Sequence, residues 1–121
     1  MNRKALGALG EKRARDFLQK RGYRIVETNF RCREGEIDII AMDGECLVFV
    51  EVRTRSGADF GTPEESVTRA KREKLISVAL SYLQTHRNLP SLWRFDVVAC
   101  EIGRDGQTTR IEVIQNAIDQ C

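Results

Sequence analysis

The stretch that decides the fold runs from Gly35 to Arg55 and reads GEIDIIAMDGECLVFVEVRTR. Two apolar runs, Ile37–Met42 and Cys46–Val52, are rich in β-branched residues, and Asp43-Gly44 between them is typical of a tight hairpin turn. The pattern therefore predicts two antiparallel strands joined by a two-residue loop at Asp43-Gly44, a register that pairs Met42 with Glu45.

Alternation along the two strands predicts which side chains share a face. In this register Asp38 lies opposite Phe49, and directly paired residues point the same way, as do alternate residues of one strand. Asp38, Glu51 and Arg53 therefore share a face, with Glu36 close by. The remaining strand residues are apolar: Ile40, Leu47 and Phe49 on the acidic face, and Ile37, Ile39, Val48, Val50 and Val52 on the other.

Carboxylates within such apolar runs need compensation, because buried acids lose hydration and repel one another. One interpretation is a site for a divalent metal ion. The other is the end of a sheet, where the acids reach solvent or pair with nearby arginines. The spacing alone does not choose between them.

Composition indicates one globular domain over residues 1–121, with 41% hydrophobic and 31% charged residues. No apolar run approaches the ~20 residues of a membrane span. The N-terminal residues lack the apolar core of a secretory signal, so we expect a cytoplasmic protein with no membrane partner. The four cysteines include no Cys-x-x-Cys pair and there is one histidine, which argues against zinc and favours free thiols.

Charge is unevenly distributed along the chain. Residues 1–33 hold ten Lys/Arg against three Asp/Glu, whereas residues 34–121 hold ten against fifteen. A basic arm beside an acidic centre suits a polyanion held near a metal ion, although a solvated helix face has the same composition. The loop from Thr54 to Gly61 adds a further candidate for phosphate contact. The candidate nucleic-acid contacts are Lys12, Arg13, Arg15, Arg31, Arg33 and Arg55.

The first helix is predicted over Lys4–Arg21, where apolar residues recur at helical spacing and Gly22 stops the helix. Glu11 lies in line with the apolar stripe, within ~20° of Leu18 on the helix wheel. Its carboxylate either extends to solvent at the edge of the stripe or points at something polar beneath the helix.

The second helix is predicted to begin at Thr62, as N-cap, with Pro63 in its first position, and to end near His86-Arg87. Lys71 falls within the apolar stripe of this helix. Its stem either carries the ammonium out to solvent or lets it reach the acidic residues.

Three further strands are predicted over Tyr23–Asn29, Trp93–Ile102 and Arg110–Ile114, with a polar connection from Asn29 to Glu34. Asp96 has no partner at a useful spacing and is assigned a structural role. Strand runs separated by two helices predict an α/β domain in which helices flank a mixed β-sheet.

The remaining chemistry is that of acids and cations. The sequence has no Walker loop and no Gly-x-Gly-x-x-Gly, and its one histidine, His86, lies at a predicted helix end. Carboxylates with nearby cations suit Mg²⁺- or Mn²⁺-dependent phosphoryl chemistry. The candidate ligands are the side chains of Asp38 and Glu51 with the backbone carbonyl of Val52.

The order of the motifs resembles the YraN-like family of small bacterial proteins. It comprises an acid in the first helix, Gly-Glu-Ile-Asp, a hairpin, Glu-x-[Lys/Arg], and Phe-Gly-x-Pro-Glu-Glu-x-Val-x-x-x-Lys. That family is similar in turn to PD-(D/E)xK nucleases and archaeal Holliday-junction resolvases. The resemblance implies a restriction-endonuclease-like fold, with Asp38 and Glu51 as metal ligands and Glu11 as a further acid of the site.

One position departs from the motif, because Arg53 stands where the nuclease motif has lysine. Arginine stays protonated and cannot share the proton chemistry of a lysine. Two functions therefore remain open. The first is a metal-dependent endonuclease on DNA, including branched DNA, acting as a homodimer. The second is a nucleic-acid-binding or scaffolding protein with a degenerate site. The candidate catalytic residues are Glu11, Asp38, Glu51, Arg53 and Lys71.

Overall fold

The structure, a computed structural model, describes residues 1–56 and 61–118. Residues 57–60 of the predicted loop, including Phe60 of the family motif, and residues 119–121 lie outside this description. The elements in chain order are α1 (Arg3–Lys20), β1 (Arg24–Cys32), β2 (Gly35–Asp43), β3 (Cys46–Ser56), a 3₁₀ turn (Glu64–Ser66), α2 (Arg69–Thr85), β4 (Trp93–Ile102) and β5 (Thr108–Ile114).

The five strands form one sheet in the order β1-β2-β3-β4-β5. Neighbouring strands are antiparallel except β3 and β4, which run parallel, so the chain must cross over between them, and α2 lies in that crossover. Helix α1 packs on the opposite face. The predicted α/β class is confirmed, and a mixed sheet flanked by two helices is consistent with a restriction-endonuclease-like arrangement. Of the helices in the described residues, none combines the length and apolar character needed to span a bilayer.

The central hairpin forms as predicted, but in a different register. Asp43 pairs with Cys46 and Met42 with Leu47, so the loop is Gly44-Glu45 and the predicted pairing of Met42 with Glu45 is wrong. Gly44 has a φ of 61°, whereas Glu45 is not among the residues with positive φ. Positive φ at the first loop residue alone is the requirement of a type II′ turn, which explains why Asp43 remains in the strand.

The corrected register keeps the predicted faces of the residues that pair, Ile39–Asp43 with Cys46–Val50, because a shift of two residues preserves the alternation of side chains. It also changes the partner of Asp38. The regular pairing of β2 with β3 extends to Ile39 and Val50, and the next position along this register sets Asp38 against Glu51 rather than Phe49.

One apolar residue lies on the other side of the sheet from its predicted place. Ile37 packs in the core beside α2 together with Ile40, whereas Ile39 packs in the core beside α1. Alternation along β2 therefore breaks between Ile37 and Ile40, next to the place where its regular pairing with β3 ends at Ile39.

Helix α1 begins and ends one residue before its predicted limits, with Asn2 as N-cap and Gly22 at a φ of 93°. Helix α2 begins at Arg69, so the predicted N-cap at Thr62 is wrong. Residues 64–66 instead form a separate 3₁₀ turn, and Val67 is extended, with φ −82° and ψ 92°. This break allows Val67 to be buried in the core beside α2, and Thr68 then caps the helix.

Strand β1 is longer than predicted, because it continues to Cys32 and leaves only Arg33 and Glu34 in the turn before β2. The predicted polar connection from Asn29 to Glu34 is therefore mostly strand. Strand β4 has its predicted limits, and β5 begins two residues earlier than predicted.

Asp96 has the structural role that the sequence predicts. It is fully buried and accepts hydrogen bonds from Tyr23 Oη at 2.8 Å, from Arg94 Nε at 2.9 Å and from the N–H of Asn116 at 3.0 Å. Arg94 also pairs with Asp43 at 2.7 Å, beside the Gly44-Glu45 turn and away from Asp38. This network satisfies a buried charge and ties β4 to the hairpin.

Candidate metal centre

Asp38 lies at the point where β2 and β3 stop pairing. Its Oδ2 accepts a hydrogen bond from the backbone N–H of Val52 at 2.8 Å, which fixes the side chain between the strands. Burial, and then the neighbouring carboxylate of Glu51, together raise the pKa of Asp38 to about 8. In the absence of a cation, this carboxyl group therefore holds a proton near neutral pH.

Two further acids lie beside Asp38: Glu11 approaches it from α1, and Glu36 lies two residues before it in β2. One carboxylate oxygen from each of the three residues lies within 4.8 Å of the others. Asn29 Nδ2 donates hydrogen bonds to Glu11 Oε2 at 3.4 Å and to Glu36 Oε1 at 3.3 Å, which holds these two acids together. Three carboxylate oxygens at this separation are hard donors of the kind that Mg²⁺ and Mn²⁺ prefer.

The carboxylate of Glu11 points at this polar cluster rather than out to solvent from the edge of the helix. It reaches the cluster because α1 lies very close to β3 at Gly10. A Cβ added to Gly10 would lie only 1.9 Å from Thr54 Oγ1, so only glycine fits there. Burial, and then the charge of Asp38, raise the pKa of Glu11. The sequence left two interpretations of Glu11 open, and the structure favours the polar one.

Glu51 stands on the α2 side of the sheet, with a side chain only 12% exposed. Its Oε2 lies 3.6 Å from Arg53 Nη1, so the acid and the cation of the Glu-x-Arg motif pair with each other. Arg53 Nε donates to Ser66 Oγ at 2.6 Å, and this hydroxyl donates in turn to the carbonyl of Pro63 at 2.5 Å. The 3₁₀ turn therefore positions Arg53, a role that the sequence did not indicate for Ser66.

Lys71 lies in the first turn of α2, half-buried beside the same residues. Burial, and then the charge of Arg53, lower its pKa, whereas the charges of Glu51 and Asp38 oppose that shift. The ammonium of Lys71 is therefore near enough to Glu51 and Asp38 to interact electrostatically with them. This favours the interpretation that Lys71 reaches the acidic residues.

Of the ligand set predicted from the sequence, Asp38 and Glu51 are neighbours, because the Glu51 carboxylate helps to raise the pKa of Asp38. The observed contact of Val52 with Asp38 is through its N–H, and coordination by its carbonyl stays a prediction. Asp38 also belongs to the group that it forms with Glu11 and Glu36. The sequence analysis placed Glu36 near the acidic face but did not name it as a ligand. Its position two residues before Asp38 on the same strand is the signal that could have identified it as one.

The candidate nucleic-acid contacts do not form one surface. Arg13 reaches β5, where its Nη1 donates to Thr108 Oγ1 at 3.1 Å, whereas Glu11 points toward Asn29 of β1. The other candidates occupy three separate places: exposed Lys12 and half-buried Arg15 on α1, exposed Arg31 and Arg33 at the β1–β2 turn, and half-buried Arg55 near the end of β3. Arg31 is moreover paired with Glu36 at 2.8 Å.

A cleft of about 820 Å³ lies next to the acidic cluster. We call it the arginine cleft, because four arginines line it: Arg3, Arg53, Arg55 and Arg104. The first two turns of α1, the last residues of β3 and the turn after β4 form its walls, and Glu11 and Val52 line it as well. Arg3 and Arg104 were not among the sequence candidates, because only the packing of α1 over the strand ends brings them to Arg55.

Comparison with known proteins places this geometry in a family. The model of the uncharacterised protein family UPF0102 matches residues 10–100, which include Glu11, the hairpin acids and Lys71. The chain belongs to UPF0102. It is 51% identical over 112 residues to a UPF0102 protein of Symbiobacterium thermophilum, an alignment that covers 93% of this chain and 94% of the relative.

Two other UPF0102 proteins match over similar lengths. The protein of Moorella thermoacetica is 47% identical over 117 residues, 97% of this chain and 98% of the relative. The protein of Pelotomaculum thermopropionicum is 44% identical over 115 residues, 95% of this chain and 96% of the relative. The shared family is the YraN-like family that the motif order resembles.

Proposed function

We propose that this UPF0102 protein is a metal-dependent endonuclease that acts on DNA, including branched DNA. The observation that carries the proposal is the convergence on Asp38 of carboxylates from three elements: Glu11 of α1, Glu36 of β2 and Glu51 of β3. Half-buried acids placed close together repel one another and destabilise the fold. A bound cation would offset that repulsion, so the cluster is best explained as a cation site.

The residues fit Mg²⁺ or Mn²⁺ because every side-chain donor is a carboxylate oxygen. A bound divalent ion would supply an activated water and neutralise charge on the scissile phosphate. Asp38 would hold the ion together with Glu51 or with Glu11 and Glu36. The hydrogen bond from Val52 keeps Asp38 Oδ2 oriented before any ion arrives.

Lys71 and Arg53 are the cations that can act on the phosphate and the attacking water. Arg53 is held by Ser66 and Glu51, so it offers a fixed charge and fixed hydrogen-bond donors. Lys71 is half-buried with a lowered pKa, and a lysine in that state can orient a water and exchange a proton. We assign to Lys71 the role that the motif lysine has in the nucleases that the sequence resembles.

A second candidate function is a nucleic-acid-binding protein with little or no catalysis. The observation that favours it is the engagement of Arg53, whose Nε is bound to Ser66 Oγ and whose Nη1 lies beside Glu51. A guanidinium committed to these contacts contributes to the structure of the site and has fewer donors to offer a phosphate.

Cleavage assays distinguish the two functions. Purified protein is incubated with labelled four-way junction, flap, single-stranded and duplex DNA, with Mg²⁺, with Mn²⁺ and with EDTA, and Asp38→Asn is run beside it. The nuclease proposal expects metal-dependent cleavage of at least one substrate that Asp38→Asn abolishes. Binding without cleavage of any substrate supports the second function, and equal cleavage by Asp38→Asn points to a contaminating nuclease. Symmetric cuts in a junction would further predict a homodimer, which the mass of the complex tests.

A further inference from the structure

We infer that the arginine cleft binds the sugar-phosphate backbone of a single nucleic-acid strand, with Arg3, Arg55 and Arg104 on its phosphates and without regard to base sequence. The inference rests on the proposed function only for the choice of polymer. The cleft itself is defined by its charge, lining and size.

The first argument is unbalanced positive charge. Ion pairs among the described residues engage five arginines, namely Arg31, Arg53, Arg69, Arg94 and Arg110. None of those pairs involves Arg3, Arg55 or Arg104, although all three line one cleft. Like charges in a shared concavity repel one another and concentrate a positive field, which a bound polyanion relieves.

The field of these arginines extends beyond the cleft itself. The charge of Arg55 contributes to lowering the pKa of Lys71. At the other wall, the first turn of α1 contains no acid and carries Arg3 and Lys4, so nothing there offsets the positive end of the helix. An anion in the cleft would be favoured by all of these charges together.

The lining matches a backbone rather than bases. Guanidinium groups bind phosphate oxygens through paired, charge-assisted hydrogen bonds. Among the described residues that line the cleft, none is aromatic, so they offer no stacking platform for a base. Contacts to phosphate position a strand and carry no sequence information, so we expect binding to be independent of sequence.

The size of the cleft favours one strand over two. At about 820 Å³ it falls within the range of ligand sites, roughly 300–1000 Å³. It cannot enclose a duplex whose major groove alone is about 12 Å wide. A few nucleotides of a single strand can lie in it.

The position of the cleft connects it to the acidic cluster. Glu11 and Val52 line the cleft, and both contact or adjoin Asp38. A strand held by the three arginines therefore passes beside Asp38, as the single-stranded arm of a branched or frayed substrate would. The basic positions Lys12 and Arg13 of α1 do not line this cleft.

Anisotropy of a fluorescein-labelled oligothymidylate tests the inference, in EDTA so that no cleavage occurs. Wild type is compared with Arg55→Gln/Arg104→Gln and with a matched control, Arg24→Gln/Arg87→Gln, which removes two exposed charges outside the cleft. We expect the cleft variant to bind at least tenfold more weakly and the control within about twofold of wild type. Losing two phosphate contacts should also flatten the slope of log affinity against log salt by about 1.4.

A conservative variant and a fold check keep the test decisive. Arg55→Lys/Arg104→Lys should retain most of the affinity, because a phosphate accepts a lysine as a point charge. Circular dichroism and the thermal midpoint show whether each variant folds. If the double variant does not fold, Arg104→Gln alone replaces it in the test, because Arg104 is exposed.

Several results would overturn the inference. One is an equal loss of affinity in the cleft variant and the control variant. Another is that duplex DNA of the same length binds as tightly as the single strand. The third is that the wild-type protein does not bind oligothymidylate at all. An oligouridylate of the same length, bound with equal affinity, would show that the cleft takes a strand of either sugar. Cleavage of junction or flap DNA is measured separately. The inference about the cleft can therefore be refuted without refuting the proposed nuclease activity, and the proposed activity can be refuted without refuting the cleft.

Discussion

Asp38 Oδ2 accepts the backbone N–H of Val52 at 2.8 Å, across the place where β2 and β3 stop pairing as a ladder. At this position a hydrogen bond from the side chain of Asp38 takes the place of a backbone bond of the ladder. Asp38 is thus held in place by the sheet itself, whereas Glu11 depends on the packing of α1 and Glu36 on its bond to Asn29.

This relationship predicts that Asp38→Asn binds Mn²⁺ at least tenfold more weakly than wild type, by calorimetric titration. The amide oxygen of asparagine can still accept from Val52, so the fold is kept while the charge that attracts the ion is removed. Asp16→Asn, a neutralised exposed acid of α1 outside the cluster, is the control and should bind as wild type does. Equal affinity of Asp38→Asn and wild type would remove the site.

The raised pKa of Asp38 predicts how the stability of the metal-free protein depends on pH. The folded protein keeps this proton up to about pH 8, whereas the unfolded chain releases it near 3.8. The contribution of Asp38 to stability is therefore fully present below the unfolded value and is lost as the pH rises through the folded value.

Urea unfolding in EDTA from pH 4 to pH 8 measures this effect. We expect the free energy of unfolding of wild type to fall relative to that of Asp38→Asn by up to about 1.4 kcal/mol per pH unit. Using the difference between the two proteins cancels the titrating groups that lie away from Asp38. Parallel profiles for both proteins would show that Asp38 titrates as an ordinary carboxyl group.

Much of the candidate centre could be predicted from the sequence, because it depends on alternation within one hairpin. The register was wrong by two residues, yet Asp38 and Glu51 still share the acidic site, since an even shift leaves the faces unchanged. A shift of one residue would have separated them. Ile37 was misplaced because strict alternation was extended beyond Ile39, where the regular pairing of β2 with β3 ends.

Other features could not be predicted, because they depend on tertiary packing. Thr62 and Thr68 are equally good N-cap residues by local chemistry, and the burial of Val67 decides in favour of Thr68. Arg3 and Arg104 are 101 positions apart in the chain and line one cleft only because α1 packs over the ends of β3 and β4. No spacing rule connects such residues.

The close approach of α1 to β3 predicts opposite effects of two Gly→Ala substitutions in one helix. A Cβ at Gly10 would stand 1.9 Å from Thr54 Oγ1, whereas a Cβ at Gly7 would meet nothing within 4 Å. We expect Gly10→Ala to lower the free energy of unfolding by about 1–3 kcal/mol through overpacking. Gly7→Ala should raise it by up to about 1 kcal/mol through helix propensity.

Denaturant unfolding of the two variants checks this prediction, and Mn²⁺ titration of the folded Gly10→Ala protein extends it. Pushing α1 away from the sheet withdraws Glu11 from Asp38, so Mn²⁺ affinity should fall with stability in Gly10→Ala only. If Gly10→Ala is as stable as Gly7→Ala, the helix does not lie against Thr54 in solution.

The last prediction concerns which cation matters for cleavage. Lys71 is half-buried with a lowered pKa beside Glu51 and Asp38, whereas Arg53 is fixed by Ser66. We expect Lys71→Ala to reduce cleavage more than tenfold, about 1.4 kcal/mol of barrier, and Arg53→Lys to retain or raise it. Ser66→Ala should reduce cleavage less than Lys71→Ala does, because Arg53 keeps its charge and its contact with Glu51.

Lys74→Ala is the matched control, since Lys74 is an exposed lysine of the same helix, and circular dichroism confirms that each variant folds. Because Lys71 is half-buried, Lys71→Met, which keeps an apolar stem without the charge, separates packing from catalysis. If Lys71→Met folds and cleaves as wild type does, Lys71 has no catalytic role and its ammonium simply extends to solvent. If none of the variants, including Arg53→Lys, cleaves any DNA that wild-type protein binds, the engaged Arg53 marks a binding protein, and the arginine cleft becomes its principal functional surface.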